Sequence, residues 1–356
     1  MSKTFDLVVI GGGPAGSAAA ITAARGGATV LQLEKGTLPR QRVCGEFVSP
    51  ESLELISVLL GDHELLAGSQ NIPVTTIFVD DEVLTLPIAP AGASITRFDL
   101  DAALWQASKE SGVDCRQQVQ VRAIDSGSSF RVETTNGPFE AKAVMNAAGR
   151  WSNLSSHEAD HSQPKRLGAK AHFRECDPPT SVDLYFFDGG YCGVQAVSND
   201  VINVCAMVET RVATSLEQVL SLHPHLWQRS RGWEQLFATV STSPLIFRKP
   251  QPVTNRTFQI GDAAGFIDPF VGDGISLALQ SGVMAAEAFI SAEQNRSTLD
   301  QALSEYSRRY MAGLVPTFRA ASQIRRLFRI PRFMRTVTAR TIQWSGIGRR
   351  LVLATR

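Results

Sequence analysis

The chain has 356 residues, a formal net charge of +1 and 44% hydrophobic residues, long enough for two domains and too apolar for a disordered polymer. It contains no uninterrupted apolar run of the ~18 residues that a spanning helix needs, and the opening MSKTFDLVVIGGG lacks the basic and apolar regions of a signal peptide. Five scattered cysteines, none in CxxC spacing, argue against a zinc ribbon or disulfide framework and fit a cytoplasmic protein.

FDLVVIGGGPAGSAAAITAARGGATVLQLEK reads as strand, glycine turn, helix, strand. Leu7 to Ile10 is an apolar, β-branched run suited to a parallel strand buried on both faces. Gly11, Gly13 and Gly16 supply G-x-G-x-x-G: a tight turn, close approach of a pyrophosphate, and close packing of helix on strand. Pro14 suits the first helical turn, and Ala15 adds to a small packing face. A second strand, Thr29 to Leu33, ends at Glu34 and Lys35. A carboxylate there can bind both ribose hydroxyls and disfavours a 2′-phosphate, so the expected ligand is FAD or NAD.

RQRVCGEFVSP, residues 40–50, follows with Arg42, Cys44, Gly45 and Glu46 in a turn. Such a Cys-Gly-Glu turn admits four chemistries: half a redox pair, a metal ligand, a nucleophile or packing. Cys44 has no partner thiol in CxxC or CxxxxC spacing and no accompanying ligand cluster, so no metal is assigned. Residues 70–92 and 166–247 alternate apolar and polar positions, as in TTIFV and VINVCAMV, which predicts strands of an antiparallel sheet. Asp80, Asp81 and Glu82 read as a hairpin tip. HEADH, residues 157–161, matches H-E-x-x-H but sits in a polar stretch closed by Pro164, so a solvated linker is favoured over a zinc site. HPH at 223–225 reads as a turn beside a helix.

RTFQIGDAAGFIDPFVGDGISLALQSG ends a strand at Gln259–Ile260, places Gly261–Asp262 at its edge and opens a helix near Gly274. An aspartate there can hold ribityl hydroxyls, and a helix N-terminus can face the electron-poor side of an isoalloxazine. Beyond Glu305 there is no acidic residue, while twelve arginines lie between Arg308 and Arg356; the first 305 residues carry 34 acidic against 23 basic side chains. Interleaved with Ile, Leu, Phe and Trp344, this tail fits either an interfacial helix for a membrane surface or a helical pair packed on the acidic body; nucleic-acid binding is disfavoured.

GGGPAG, GDAAGFIDPFVGDGI and ITRFDLDAALWQAS together resemble the FAD-dependent oxidoreductases of the p-hydroxybenzoate hydroxylase superfamily, closest to its geranylgeranyl reductase-like branch. The resemblance implies FAD, with Arg97 reaching the cofactor, the strand of Val119 and Val121 passing the adenine, and Arg42, Cys44 and Gly45 running beside the isoalloxazine. It adds Ala148, Gly149, Pro269, Gly272 and Ile275 to the cofactor set. Ala148 stands where that family carries aspartate, which weakens a role for this segment in NAD(P)H handling. With no second G-x-G-x-x-G, NAD(P)H or another electron donor must bind transiently. Where the reductases carry Y-x-W-x-F-P, only Tyr191 is kept and Gly193 replaces the tryptophan, implying a wider cavity. The halogenase W-x-W-x-I-P segment is missing too, and no counterpart of the halogenases' catalytic lysine is evident, so halogenation is disfavoured.

The expected fold is therefore α/β: a doubly wound FAD domain from residues 1–70, 93–165 and 248–316, an antiparallel substrate domain from 71–92 and 166–247, and a basic helical segment over 317–356. The expected activity is hydride transfer at a carbon–carbon double bond of a lipophilic isoprenoid or polyketide-like substrate through flavin N5. Cys44, Glu46 and Tyr191 are the catalytic candidates. The alternative is an O2- and NAD(P)H-dependent monooxygenase working through a flavin C4a-hydroperoxide. The protein is expected in the cytoplasm, with peripheral membrane contact through the tail left open, as is the oligomeric state.

Overall fold

The computed structural model describes residues 4–61, 63–150, 154, 164–266, 272–319 and 321. The opening unit is β1 (Thr4–Ile10), α1 (Pro14–Arg25) and β2 (Val30–Leu33). β3 (Phe47–Val48), α2 (Pro50–Leu60) and α3 (Glu64–Ala67) lead into a long hairpin of β4 (Gln70–Val79) and β5 (Glu82–Ser94). The chain then adds α4 (Arg97–Glu110), β6 (Asp114–Arg116), β7 (Val121–Ser126), β8 (Phe130–Thr134) and β9 (Phe139–Asn146). Four longer strands follow: β10 (Arg166–Arg174), β11 (Ser181–Phe187), β12 (Gly190–Ala196) and β13 (Val201–Glu209). α5 (Leu216–Leu220), α6 (Pro224–Ser230), β14 (Glu234–Gln235) and β15 (Val240–Thr242) complete that region. β16 (Val253–Thr254), β17 (Thr257–Gln259), α7 (Gly274–Gln294) and α8 (Leu299–Gly313) return to the first sheet.

Two sheets divide these strands. The first runs β16-β17-β9-β1-β2-β6, with β17, β9, β1, β2 and β6 mutually parallel. β1 alternates between two cores: Leu7 and Val9 join Phe258, Leu277 and Tyr306 beneath the helices, whereas Phe5, Val8 and Ile10 join Phe130 and Val132. Helices therefore cover one face, and the β7–β8 hairpin covers the other. The hairpin forms there because the chain after β6 is β-branched and turn-rich, with no helical period. Among the described residues only α7 is long and apolar enough to cross a membrane. Here it is a core helix, whose Gly282 lets the backbone of α1 approach so closely that a Cβ would lie 2.3 Å from Ala15 O.

The second sheet runs β14-β10-β13-β12-β11-β4-β5-β3, with β15 also on β10. All its pairs are antiparallel except β11 on β4, which is parallel. The expected antiparallel sheet is thus mixed at one seam, where two sequence-distant blocks, the β4–β5 hairpin and the β10–β13 meander, are joined. Asp80 and Asp81 form the tip of that hairpin, with Asp80 at φ 53°. The start of the basic segment packs on the body: Phe318 and Ala321 are buried in the core beneath α7 and α8. The remaining tail positions expected to be helical, and the HEADH stretch, lie outside the described residues.

Candidate functional site

One cavity of about 930 Å³ runs between the two sheets. Every cofactor-binding and catalytic candidate lines it, apart from Gly16, which packs behind it, and Pro269, which lies outside the described residues. At its inner end Gly11 adopts φ 120°, and a Cβ there would sit 2.3 Å from Ala147 O. Gln32, fully buried on β2, donates to Gly11 O and Ser17 Oγ at 3.1 Å, fixing the turn from beneath. α1 begins at Gly13 without a side-chain cap, so its first-turn N–H groups face the cavity.

Glu34 closes this end. Its carboxylate accepts N–H bonds from Gly12 and Gly36, both at 2.9 Å, and pairs with Arg40 at 2.6 Å. Burial alone would raise its pKa, but those two N–H groups and the Arg40 guanidinium hold it below the ordinary 4.5.

Above it three guanidiniums converge. Arg97, the first residue of α4, is gripped by Asp101 through two 2.8 Å hydrogen bonds. Burial, and then the Arg40 and Arg97 charges, lower the pKa of Arg42, whose buried Nε has no hydrogen-bond partner among the described residues. A buried guanidinium N–H beside like charges suits an anionic ligand.

The Cys44-Gly45-Glu46 turn faces the same space. Glu46 is fully buried and holds φ 63°, a conformation costing a non-glycine residue ~1–3 kcal/mol. Its carboxylate accepts from Lys170 Nζ at 2.5 Å and the Arg97 backbone N–H at 2.8 Å, and its other oxygen contacts His172 Nε2 at 2.8 Å. Burial would push Glu46 up; the His172 hydrogen bond and the Lys170 charge reverse this and hold it below 4.5. A carboxylate so engaged is a fixed anion and a poor proton donor, which is at odds with the acid role expected for it. Cys44 behaves oppositely: burial raises its thiol pKa, against the pull of Arg97.

The second sheet roofs this turn in cross-strand rows. One row is His172, Asn203, Gln195, Val182, Thr75 and Leu86. The next is Lys170, Cys205, Gly193, Leu184, Ile77 and Leu84, and a third continues through Met207, Tyr191, Phe186 and Val79. Polarity is concentrated over β10 and the cavity-facing positions on β11, β4 and β5 are almost all aliphatic. Gly193 leaves a trough in the middle row. At the opposite wall Asp262 pairs with Arg150 at 3.3 Å, and the Arg150 guanidinium lies 4.4 Å from the Phe266 ring centre.

Residues 6–39 match a family model described as FAD dependent oxidoreductase. The chain is 28% identical over 349 residues to digeranylgeranylglycerophospholipid reductase 1 of Methanococcoides burtonii, covering 87% of this chain and 80% of that protein. It is 26% identical over 382 residues to menaquinone reductase of Mycobacterium tuberculosis, covering 98% and 90%. The chain is an FAD-dependent oxidoreductase.

The architecture of this oxidoreductase agrees with solved flavoenzymes. A flavin-dependent brominase superposes with a TM-score of 0.82 at 21% identity, covering 99% of this chain and 94% of that one. A halogenase solved in complex with FAD gives 0.79 at 17%, covering 98% and 85%. At these identities the likeness speaks for fold alone. The site itself fits FAD. Arg42 Nε lacks a partner among the described residues, and a Cβ at Gly45, Gly149 or Gly274 would meet no atom within 4 Å, so these cavity-lining backbones border open space that a ligand can approach closely. Glu34 would hold the ribose, Arg42 and the α1 N-terminus the pyrophosphate, and Asp262 with the α7 N-terminus the flavin end.

Arg40, Arg150, Lys170, His172 and Asn203 were not anticipated from sequence. A signal existed for two of them: in RLGAKAHFR, Lys170 and His172 share one face with Arg166, while small or apolar residues occupy the other.

Glu34 and Glu46 give the oxidoreductase a defined acid limit. Both folded-state pKa values lie below 4.5, so folding favours the ionised forms. That stability is complete above about pH 4.5 and is lost as pH falls from there through the folded values. Melting temperature is expected to fall over this window, and less steeply in Glu34→Gln and Glu46→Gln chains. Thermal melts across an acid series check this.

Proposed function

We propose that this oxidoreductase saturates a carbon–carbon double bond of a lipophilic, isoprenoid-type substrate. The aliphatic trough over β11, β4 and β5 supports this reading, since it offers a long chain dispersion contacts and no hydrogen-bonding partner to lose. The reductase names of two relatives point the same way. Reduced flavin, when bound, supplies a hydride from N5. The roof residues hold the alkene over that face and exclude water. The alkene gains that hydride on one carbon and a proton on the other. Cys44 is the proton donor that the geometry favours: it lines the cavity, and burial keeps its thiol protonated. Tyr191, in the third row beside Phe186 at 5.7 Å between ring centres, frames the substrate or serves as the second donor. NAD(P)H or a protein donor would restore the cofactor by transient docking, and the basic tail would bring the protein to the membrane that dissolves the substrate.

The test is an anaerobic single turnover. FAD-loaded protein is photoreduced and mixed with a prenylated quinone or a polyprenyl lipid, and flavin reoxidation and product mass are followed. Flavin reoxidation with a gain of two hydrogens located in the prenyl chain, and retained after any quinol is reoxidised to quinone, supports the reading. No reoxidation without oxygen, with an oxygenated product once air is admitted, overturns it in favour of a monooxygenase. Cys44→Ala is expected to slow product formation on the order of 100-fold while leaving FAD bound.

A further inference from the structure

The turn that faces the flavin is held less by its own domain than by the substrate sheet. Five polar contacts reach it from β10 and β13. Lys170 Nζ donates to Gln41 Oε1 at 3.0 Å and to Glu46 at 2.5 Å. His172 meets the other Glu46 oxygen at 2.8 Å. Asn203 Nδ2 donates to two consecutive carbonyls, Cys44 O at 3.1 Å and Gly45 O at 2.8 Å. Lys170, His172, Asn203 and Glu46 are all at least nine-tenths buried, so these bonds are shielded from water and geometrically restrictive. From its own domain, the Arg97 N–H on Glu46, the Ile95 N–H on Glu46 O and the Arg97 side chain at Cys44 tie the turn to the start of α4.

This arrangement explains two otherwise costly features. Glu46 sits in a left-handed conformation where glycine would be easier, and only a side chain of its length and charge there satisfies Lys170 and His172 together. Lys170 is buried on a strand, where an ammonium persists only with a dedicated anion. Lys170 also neighbours Cys205 and Gly193 in the row above the apolar trough. The contacts that set the turn therefore begin beside the space where substrate would lie.

We propose that Lys170, His172 and Asn203 are positioning residues that latch the Gln41–Glu46 turn against the flavin, so that the substrate sheet sets the ring's seat and redox poise. The inference rests on FAD occupying the cavity and is independent of which substrate is reduced. Donors withdrawn from Cys44 O and Gly45 O would let the turn relax, and would loosen the flavin and change its environment.

The test uses three full-length chains: Asn203→Leu, the paired Lys170→Met/Glu46→Gln, and Lys170→Met alone. The paired variant removes both charges with near-constant shape and guards against simple misfolding of the single variant. FAD dissociation constant, visible flavin spectrum and midpoint potential are measured beside apo-protein melting. Expected are a rise in the dissociation constant of about tenfold, a shifted flavin band and a displaced potential in Asn203→Leu and in the paired variant, with apo melting close to wild type. Wild-type affinity, spectrum and potential in both chains overturn the latch. So does a loss of FAD that merely tracks a loss of apo stability. Failure of the wild-type chain to bind FAD would instead overturn the cofactor assignment on which the latch rests.

Discussion

Replacing Gly193 with tryptophan is expected to leave FAD affinity unchanged while cutting kcat/KM for a long isoprenoid substrate on the order of 100-fold. Gly193 sits centrally in the row that runs from Lys170 through Cys205 to Leu184, Ile77 and Leu84. A Cβ added there would meet Leu184 Cδ2 at 3.4 Å and Cys205 O at 3.7 Å, ordinary contact distances. Gly193→Ala should therefore be nearly silent, because the strand already has an extended backbone and the added methyl has room. An indole on the same bond has only the trough to enter. Glu34, Arg42 and Asp262, the residues proposed to hold FAD, are not in this row, so the block should appear in substrate kinetics and not in flavin titration. Short substrates that do not reach the trough should keep more of their rate than long ones. Equal loss for short and long substrates, or release of FAD, would show that Gly193 shapes something other than a chain-binding trough.

The cofactor end was legible because its constraints are local. Gly11 must be glycine for the contact with Ala147 O, and Glu34 follows its strand at a spacing fixed by the βαβ unit. Neither inference needs knowledge of which distant strands pair. The roof was not legible in this way. Gly193, Leu184 and Ile77 are neighbours only because β12, β11 and β4 pair in one register, and the parallel β4–β11 seam joins segments about a hundred residues apart. Alternation marks which residues share a face, but not which rows meet. Glu46 shows the same limit from another side. Its position near the flavin turn could be read, and its carboxylate made an acid role chemically reasonable. Its partners Lys170 and His172 lie 124 and 126 residues away, and they decide that it stays ionised. Sequence supplies the functional group; tertiary pairing supplies its protonation.

Glu34→Ala should cost the protein its cofactor, raising the FAD dissociation constant on the order of 100-fold. The side chain leaves behind three donors that it alone satisfies: the Gly12 and Gly36 N–H groups and the Arg40 guanidinium. Breaking a buried charge pair typically costs ~3–5 kcal/mol. Arg40 is 27% exposed, so water recovers part of that and the lower end applies. The loss should fall on the bound state in particular, because Gly12 is the central residue of the turn proposed to cradle the pyrophosphate, and its N–H is held by Glu34. Glu34→Gln keeps the shape and one acceptor and should weaken FAD less, by about tenfold. Glu34→Arg should be worst, since it adds a fourth guanidinium to Arg40, Arg42 and Arg97 at the ribose. Fluorescence titration of apo-protein with FAD orders the three. A Glu34→Ala protein that purifies with full flavin would place the ribose elsewhere in the cavity and remove the carboxylate from the cofactor site, while retention by Glu34→Ala with loss in Glu34→Arg would reduce its role to excluding positive charge.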